Sequence, residues 1–351
     1  MRLNTLPRVR LANLPTPMQE MPNLSKELGG PKLLVKRDDL TGLAFGGNKA
    51  RKLEFLMADA VEKKADYIVT GAGFHSNWCT QTVAAARRLG MEVVLVKSGP
   101  KDGYDPKEYD GNQLLHFLMG AEIHVARPEN SKKLTEEIME DLKAKGHNPY
   151  YMPVGGSTPI GAAGYATAML EIVSQAVEKG VKIDYLVHAT GSGGTQAGLV
   201  AGTKAFNSGI KVLGVSTGGP TGGRRTERIM NLVKETADFL EFDIVCDEDD
   251  VNIFDEYAEG YGYMIEGKAE AIKLAAEKEG LMIDPVYTAS AMMGLIDLCR
   301  NGFFKPDDTV VFLHTGGTAA LFPYKEPLKA YGLGKDMPWK IPEWSPSSVG
   351  Q

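Results

Sequence analysis

The chain has 351 residues, 43% of them hydrophobic and 24% charged, an ordinary globular balance that excludes a disordered chain, a coiled coil or a fibre. That length suggests about two domains at roughly 100–200 residues each. With 39 Lys plus Arg against 45 Asp plus Glu, the formal charge of −6 does not attract a polyanion, so nucleic acid is not an expected partner.

The opening residues 1–17 hold Pro and polar residues where a signal peptide needs an apolar run. The first punctuation is Gly46-Gly47, followed by Asn48 and a helical period over 50–63. Asn48 reads as an N-cap, which places Lys49 in the first helical turn, where the helix dipole disfavours a cation and lowers its pKa. A neutral lysine amine is what attacks an aldehyde. Lys49, Arg51 and Lys52 also read as a solvated basic face.

A strand over 67–70 (YIVT) leads into the turn Gly73-Phe74-His75-Ser76-Asn77-Trp78-Cys79-Thr80-Gln81 and a helix over 80–89. Ser or Asn before a helix is commonly a cap, but two adjacent candidates do not fill one position. Hydroxyl, amide and backbone donors at a helix N-terminus also suit a carboxylate. Strands at 92–96 and 122–125 and helices at 131–145 and 161–179 continue the alternation, and a second glycine pair stands at Gly155-Gly156.

The strand over 185–187 precedes Ala189-Thr190-Gly191-Ser192-Gly193-Gly194-Thr195-Gln196, which opens a helix over 196–205. Small residues in a strand–turn–helix leave backbone N–H groups free at a helix N-terminus, the physics of a phosphate site. The loop lacks the GxxxxGK[ST] lysine and the GxGxxG spacing, so a small phosphorylated cofactor suits it better than a nucleotide, and a tight turn without ligand is the plain alternative. Strands at 211–215 and 309–313 flank a helix at 265–278. Strands separated by helices indicate βαβ units and a mainly parallel sheet. The tail from Asp336, rich in Pro and carrying two Trp, has neither periodicity and is expected along the surface or on a neighbouring subunit.

Three scattered cysteines and six histidines without paired spacing give no disulfide framework and no metal site. No apolar run reaches the roughly 18 residues that cross a bilayer, so no membrane is expected and a cytoplasmic location is the default.

Taken together, LPTP near the start, KRDDLTG (36–42), GGNKARKLEFL, the Ser-Asn turn, ATGSGGTQAGL, GYG (260–262), DPVY (284–287) and FLHTGG (312–317) resemble the pyridoxal-phosphate family of D-cysteine desulfhydrase, L-cysteate sulfo-lyase and 1-aminocyclopropane-1-carboxylate deaminase. The resemblance runs from about Leu14 to about Tyr324. It implies a tryptophan-synthase-β-like, fold type II enzyme of two three-layer α/β/α domains; the glycine pairs Gly46-Gly47 and Gly155-Gly156 mark the boundary, with residues 1–47 and 160–351 expected as the larger, cofactor-binding domain and 48–159 as a smaller one inserted in it. A homodimer is implied as well. By position it implies Lys49 as the Schiff-base lysine of pyridoxal 5′-phosphate, Thr190, Gly191, Ser192, Gly193, Gly194 and Thr195 as the phosphate cup, and Asn77 at the pyridoxal 3′-oxygen. Ser76 is implied in substrate carboxylate binding, Tyr261 and Tyr287 near the substrate Cα, and Thr288 and Thr315 beside the pyridine ring. His75, Trp78 and Gln81 complete the expected substrate side.

Two departures bear on substrate. His75-Ser76-Asn77-Trp78-Cys79-Thr80 stands where the family more often reads Q-S-N-H or Q-S-N-Q and then Arg, and Thr288 replaces the glutamate that follows DPVY in the deaminase. The second moves the reading toward β-elimination on a cysteine-like amino acid, giving pyruvate, ammonia and sulfide or sulfite. The alternatives are a cyclopropane-carboxylate deaminase and, from another class, a non-catalytic phosphate-ligand binding protein.

Overall fold

The structure, a computed structural model, describes residues 1–106, 109–257, 259–338 and 341–345. The first lobe of chain to fold on itself opens with β1 (Met18–Glu20), α1 (Pro22–Leu28) and β2 (Lys32–Lys36), and α2 (Lys49–Glu62) follows the first glycine pair. Then come β3 (Tyr67–Gly73), α3 (Asn77–Arg88), β4 (Glu92–Ser98), α4 (Asn112–Leu118), β5 (Glu122–Ala126), α5 (Pro128–Ala144) and β6 (Pro149–Tyr151). The chain continues through α6 (Pro159–Lys179), β7 (Tyr185–Thr190), α7 (Gly194–Ala205), β8 (Lys211–Ser216), α8 (Arg224–Leu240) and β9 (Asn252–Phe254). It ends with α9 (Glu266–Glu279), α10 (Thr288–Arg300), β10 (Thr309–Leu313) and α11 (Lys325–Gly332).

The strands form two sheets, one of six in the order β1-β2-β10-β7-β8-β9 and one of four in the order β5-β4-β3-β6. Every pairing is parallel except β1 with β2. Parallel strands need crossover helices, which cover both faces, so strands such as β10 are buried throughout. In the larger sheet one face packs on α6, α7 and α8 through Met169, Leu199 and Val233, and the other on α9 and α10 through Ile272, Met292 and Leu295. In the smaller sheet α2 and α3 supply Leu53, Met57 and Val83 to one face, while Leu142 of α5 meets Val69 and Val94 on the other. Each sheet is therefore the middle of three layers, as the alternation of elements implied.

The strands read from the sequence are all present. The reading did not single out β1, β6 and β9, each of three residues and too short for a period to show, nor the five-residue β2, which it passed over inside the stretch before Gly46. The carboxyl ends of β3, β7 and β8 open onto a common crevice, where ligands bind in open α/β sheets.

The tail differs from expectation. Its described residues turn back onto their own chain, with Trp344 packed on Phe74, His75 and Tyr324.

Candidate active site

Helix α2 begins at the lysine. Asn48, expected to cap it, has helical dihedrals and no capping side-chain bond; Gln81 does part of that work, accepting from Ala50 N at 2.7 Å. The Asn48 side chain is used elsewhere: Oδ1 accepts from Lys49 Nζ at 2.9 Å and Nδ2 donates to Thr195 Oγ1 at 3.0 Å. The amine is thereby tied to the loop between β7 and α7. Burial lowers the Lys49 pKa to about 8, against an opposing pull from Asp284. The helix N-terminus acts in the same direction, but desolvation is the leading cause.

The reading of a solvated basic face fails for Arg51 and Lys52, each 1% exposed. Arg51 makes a bidentate bond to Asp38 (2.8 Å twice) and reaches Glu171 at 2.9 and 3.0 Å, while Tyr165 and Lys36 complete the network. Although burial opposes it, Arg51 holds the Asp38 carboxyl below its ordinary range. This buried network, which includes two residues of the KRDD motif, fixes α2 against α6 and so fixes Lys49. Lys52 points the other way. Its Nζ donates to Gly155 O at 3.0 Å, and burial, then repulsion from Lys49, push its pKa well down.

Gly191, Ser192, Gly193 and Gly194 make the turn into α7, with Gly193 at φ +93°. Gly194 N donates to Ser157 Oγ, which in turn donates to Ser192 Oγ at 2.8 Å. A Cβ on Gly194 would stand 2.8 Å from Ser157 Oγ and 2.9 Å from Lys52 Nζ, whereas one on Gly193 would strike Ile229 instead. The space that glycine leaves at 194 is thus faced by the Lys52 amine and the Ser157 hydroxyl at the N-terminus of α7, a polar setting suited to a phosphate. Among the described residues the Oγ1 of Thr190 has no partner, and below the loop burial pushes His188 down to about 4, leaving it neutral.

Opposite the cup stands the start of α3. Ser76 is the N-cap, accepting from Cys79 N at 3.4 Å, and Asn77 is the first helical residue, which resolves the competition between the two. Asn77 Oδ1 accepts from Asn112 Nδ2 at 3.0 Å, so its amide N–H₂ is the end left for a ligand oxygen. Tyr261 and Tyr287 share a hydroxyl–hydroxyl bond of 3.0 Å. Burial raises the pKa of both phenols, which keeps them protonated.

Around these groups lies a cavity of about 880 Å³. Of the residues expected from the sequence, it is lined by Lys49, Ser76, Asn77, Trp78, Thr190, Gly191, Ser192, Gly193, Thr195, Tyr261, Tyr287 and Thr315. Four are set back from it. Gly194 donates its N–H to Ser157 Oγ. Gln81 braces the α2 start, donating to Gly46 O. His75 is 2% exposed beneath Trp344, and burial takes its pKa to about 3, so it is neutral.

Thr288 is wholly buried: Oγ1 donates to Asp284 Oδ1 at 2.6 Å and accepts from Asp284 N at 2.6 Å. Placing it against the pyridine ring is therefore corrected. Asp284 also accepts from the N–H groups of Val286, Tyr287 and Thr288, so the DPVY motif builds the start of α10. Sequence reasoning missed Ser157, Asn112 and Ser345; the glycine pair before Ser157 was the one available signal. Among the described residues no group of side chains could hold a metal, and no helix is long and apolar enough to cross a membrane.

Fold and site together define a pyridoxal-phosphate-dependent enzyme of fold type II. The chain belongs to the pyridoxal-phosphate dependent enzyme family, whose model matches residues 9–316, and the alternative of a non-catalytic binding protein falls away. It is 40% identical over 327 residues to a putative 1-aminocyclopropane-1-carboxylate deaminase of Pyrococcus abyssi, covering 92% of this chain and 96% of that one. It is 39% identical over 326 residues to a D-cysteine desulfhydrase of Klebsiella pneumoniae, covering 92% and 97%. A crystal structure of an ACC deaminase homologue superposes with a TM-score of 0.85 at 39% identity over 93% of this chain and 97% of that one. A processed threonine deaminase from Solanum lycopersicum shares the fold at a TM-score of 0.64 and 18% identity, over 90% and 82%.

Proposed function

We propose that the enzyme removes a β-substituent from a cysteine-like three-carbon amino acid, such as D-cysteine or L-cysteate, and releases pyruvate, ammonia and sulfide or sulfite. The observation that carries this reading is the charge of the cavity. Among the described residues that line it there is no Asp or Glu, while Lys49, Arg224 and Arg228 contribute, beside an Arg225 that is paired with Asp255. Such a wall suits a substrate with a carboxylate and a leaving group that departs as an anion. Opening an unactivated cyclopropane ring has no such outlet.

Lys52 Nζ, Ser157 Oγ, Thr195 Oγ1 and the α7 N–H groups would hold the phosphate, and the Asn77 amide the ring oxygen. Bound there, pyridoxal 5′-phosphate supplies an electron sink for the pair left at Cα. The rest falls to side chains of this chain. The Ser76 hydroxyl and the α3 N-terminus bind the substrate carboxylate. Lys49, with its pKa near 8, takes the Cα proton at neutral to mildly alkaline pH. The Tyr261–Tyr287 pair, kept protonated by burial, orients the β-substituent and offers it a hydrogen bond as charge develops. Thr288 has given its one hydrogen to Asp284 and has none for a ring nitrogen, which disfavours the deaminase reaction.

The second reading, 1-aminocyclopropane-1-carboxylate deaminase, is favoured by the name of the Pyrococcus relative. A comparison of kcat/KM for D-cysteine, L-cysteine, L-cysteate and the cyclopropane substrate on one holoenzyme preparation decides. Keto-acid release from cysteine or cysteate of one configuration is expected. A cyclopropane substrate better by about tenfold, or about 1.4 kcal/mol, overturns the reading.

We place residues 48–159 in a smaller lobe and the remainder in a larger one, and we propose a homodimer. Phe117 and Leu118 at the end of α4, and Phe322 in the segment before α11, are exposed large apolar side chains, and such residues suit a subunit interface. A cytoplasmic location fits three cysteines that are all free thiols.

A further inference from the structure

We infer that residues 341–345 form a wall of the substrate pocket, in which Ser345 lines the cavity and Trp344 braces it from behind, together limiting the size of the β-substituent; this rests on the amino-acid lyase reading. After α11 the chain runs exposed through Leu333, then residues 342–345 turn inward, with Ser345 N donating to Pro342 O at 3.0 Å. Ser345 is 0% exposed and lines the cavity together with Ser76, Tyr261 and Tyr287. A terminal segment ordered to that degree needs a packing anchor, since fixing chain costs about 1–2 kcal/mol per residue. The anchor is the indole of Trp344.

One side of the indole meets the turn that carries Ser76: the ring centroids lie 4.4 Å from His75, edge-on, and 6.2 Å from Phe74, stacked. The other side meets the six-stranded half, with Tyr324 at 6.2 Å and Gly262 so near that a Cβ there would stand 3.1 Å from the ring. Tyr324 donates to Gly262 O at 2.7 Å, directly beside Tyr261. A single indole therefore spans the residues that position Ser76 and those that position Tyr261. Because His75 is buried and neutral, this contact is apolar packing that a change of charge does not release.

The segment lies beyond residues 9–316, which carry the family match, so the wall is set apart from the shared catalytic frame. Removing the indole would leave a void behind the turn that carries Ser76 and beside Gly262, into which the substrate wall can yield, without touching the proposed cup of Lys52, Ser157 and α7.

The test uses holoenzyme of wild type, Trp344→Ala, Trp344→Phe and Ser345→Val. The visible band of the lysine-bound cofactor is recorded first, since its retention shows that the cup is intact. Keto-acid release is then measured for cysteine of the reactive configuration and for its S-methyl and S-benzyl derivatives, alongside the change in cofactor absorbance that each amino acid induces, a binding readout that needs no turnover.

Trp344→Ala is expected to raise KM for cysteine about tenfold and to shift the kcat/KM ratio at least about tenfold toward the S-benzyl compound, with Trp344→Phe between. Ser345→Val, which adds bulk within the pocket, is expected to move the ratio the opposite way, so the proposal stands on this variant if Trp344→Ala does not fold. Ratios within about twofold of wild type in variants that keep the band overturn it. If wild type keeps the band but releases no keto acid, the lyase reading fails, and the ratios of apparent affinities from the absorbance titration decide the wall by the same margins. A wild type without the band overturns both.

Discussion

At the proposed cup, the Ser157 hydroxyl and the Lys52 amine face the space that Gly194 leaves open at the start of α7, and most of the expected phosphate contacts lie in one strand–turn–helix. At the substrate wall, Ser76 comes from the β3–α3 turn, Tyr261 and Tyr287 from two other segments, and Ser345 from the end of the chain. The cup is local and its chemistry is that of any helix N-terminus, so the same construction serves unrelated reactions. The wall is assembled from sequence separations of up to 269 residues, counting from Ser76 to Ser345, and specificity can change there without loss of the cofactor.

Lys49 joins the two ends through Asn48 and Thr195, so its loss should break both. Lys49→Ala is expected to remove the visible band and to lower keto-acid release by at least ~10³-fold; retention of either above a tenth of wild type would mean that another amine does this work. In the wild-type apoprotein, the rate of cofactor capture should rise about tenfold per pH unit below pH 8 and level off above it, because only the neutral amine attacks and burial sets its pKa near 8. A rate still climbing at pH 10 would show an unshifted lysine.

The cup alone should yield to Gly194→Val, whose added carbons would occupy the space facing Ser157 and Lys52. The cofactor Kd should rise about 100-fold, or about 2.7 kcal/mol, and excess cofactor should restore much of the turnover. Gly193→Val would also damage the loop, but through Ile229 and a left-handed backbone rather than through the ligand, so added cofactor should restore less. Equal rescue of the two variants would put the phosphate elsewhere.

The smallest effect belongs to the wall. Tyr287→Phe keeps the ring and loses the bond to Tyr261, so kcat should fall about tenfold, or about 1.4 kcal/mol, with cofactor affinity within twofold of wild type. A change confined to cofactor affinity would move Tyr287 from the wall to the cup.

The sequence by itself determined the parallel α/β class, the glycine loop before α7 and the lysine at the start of α2, because each is written in contiguous residues with a period or a turn chemistry of its own. It also placed Ser76 and Asn77 at a helix start, where either one could have been the cap. Only the tertiary structure decided between them, and only it turned Thr288 to Asp284, Gln81 to Ala50 N and Arg51 to the buried Asp38. A side chain's partner depends on what the fold brings opposite it, and hydroxyl, amide and guanidinium groups satisfy many partners equally well. The tail shows the same limit most plainly: composition marked residues after Asp336 as irregular, but the surroundings of Trp344 and Ser345 are made by residues far apart in the chain, from Phe74 to Tyr324. Burial of an indole is worth about as much in one apolar pocket as in another, so its address is fixed by the shape of the folded chain and by nothing in its own neighbourhood.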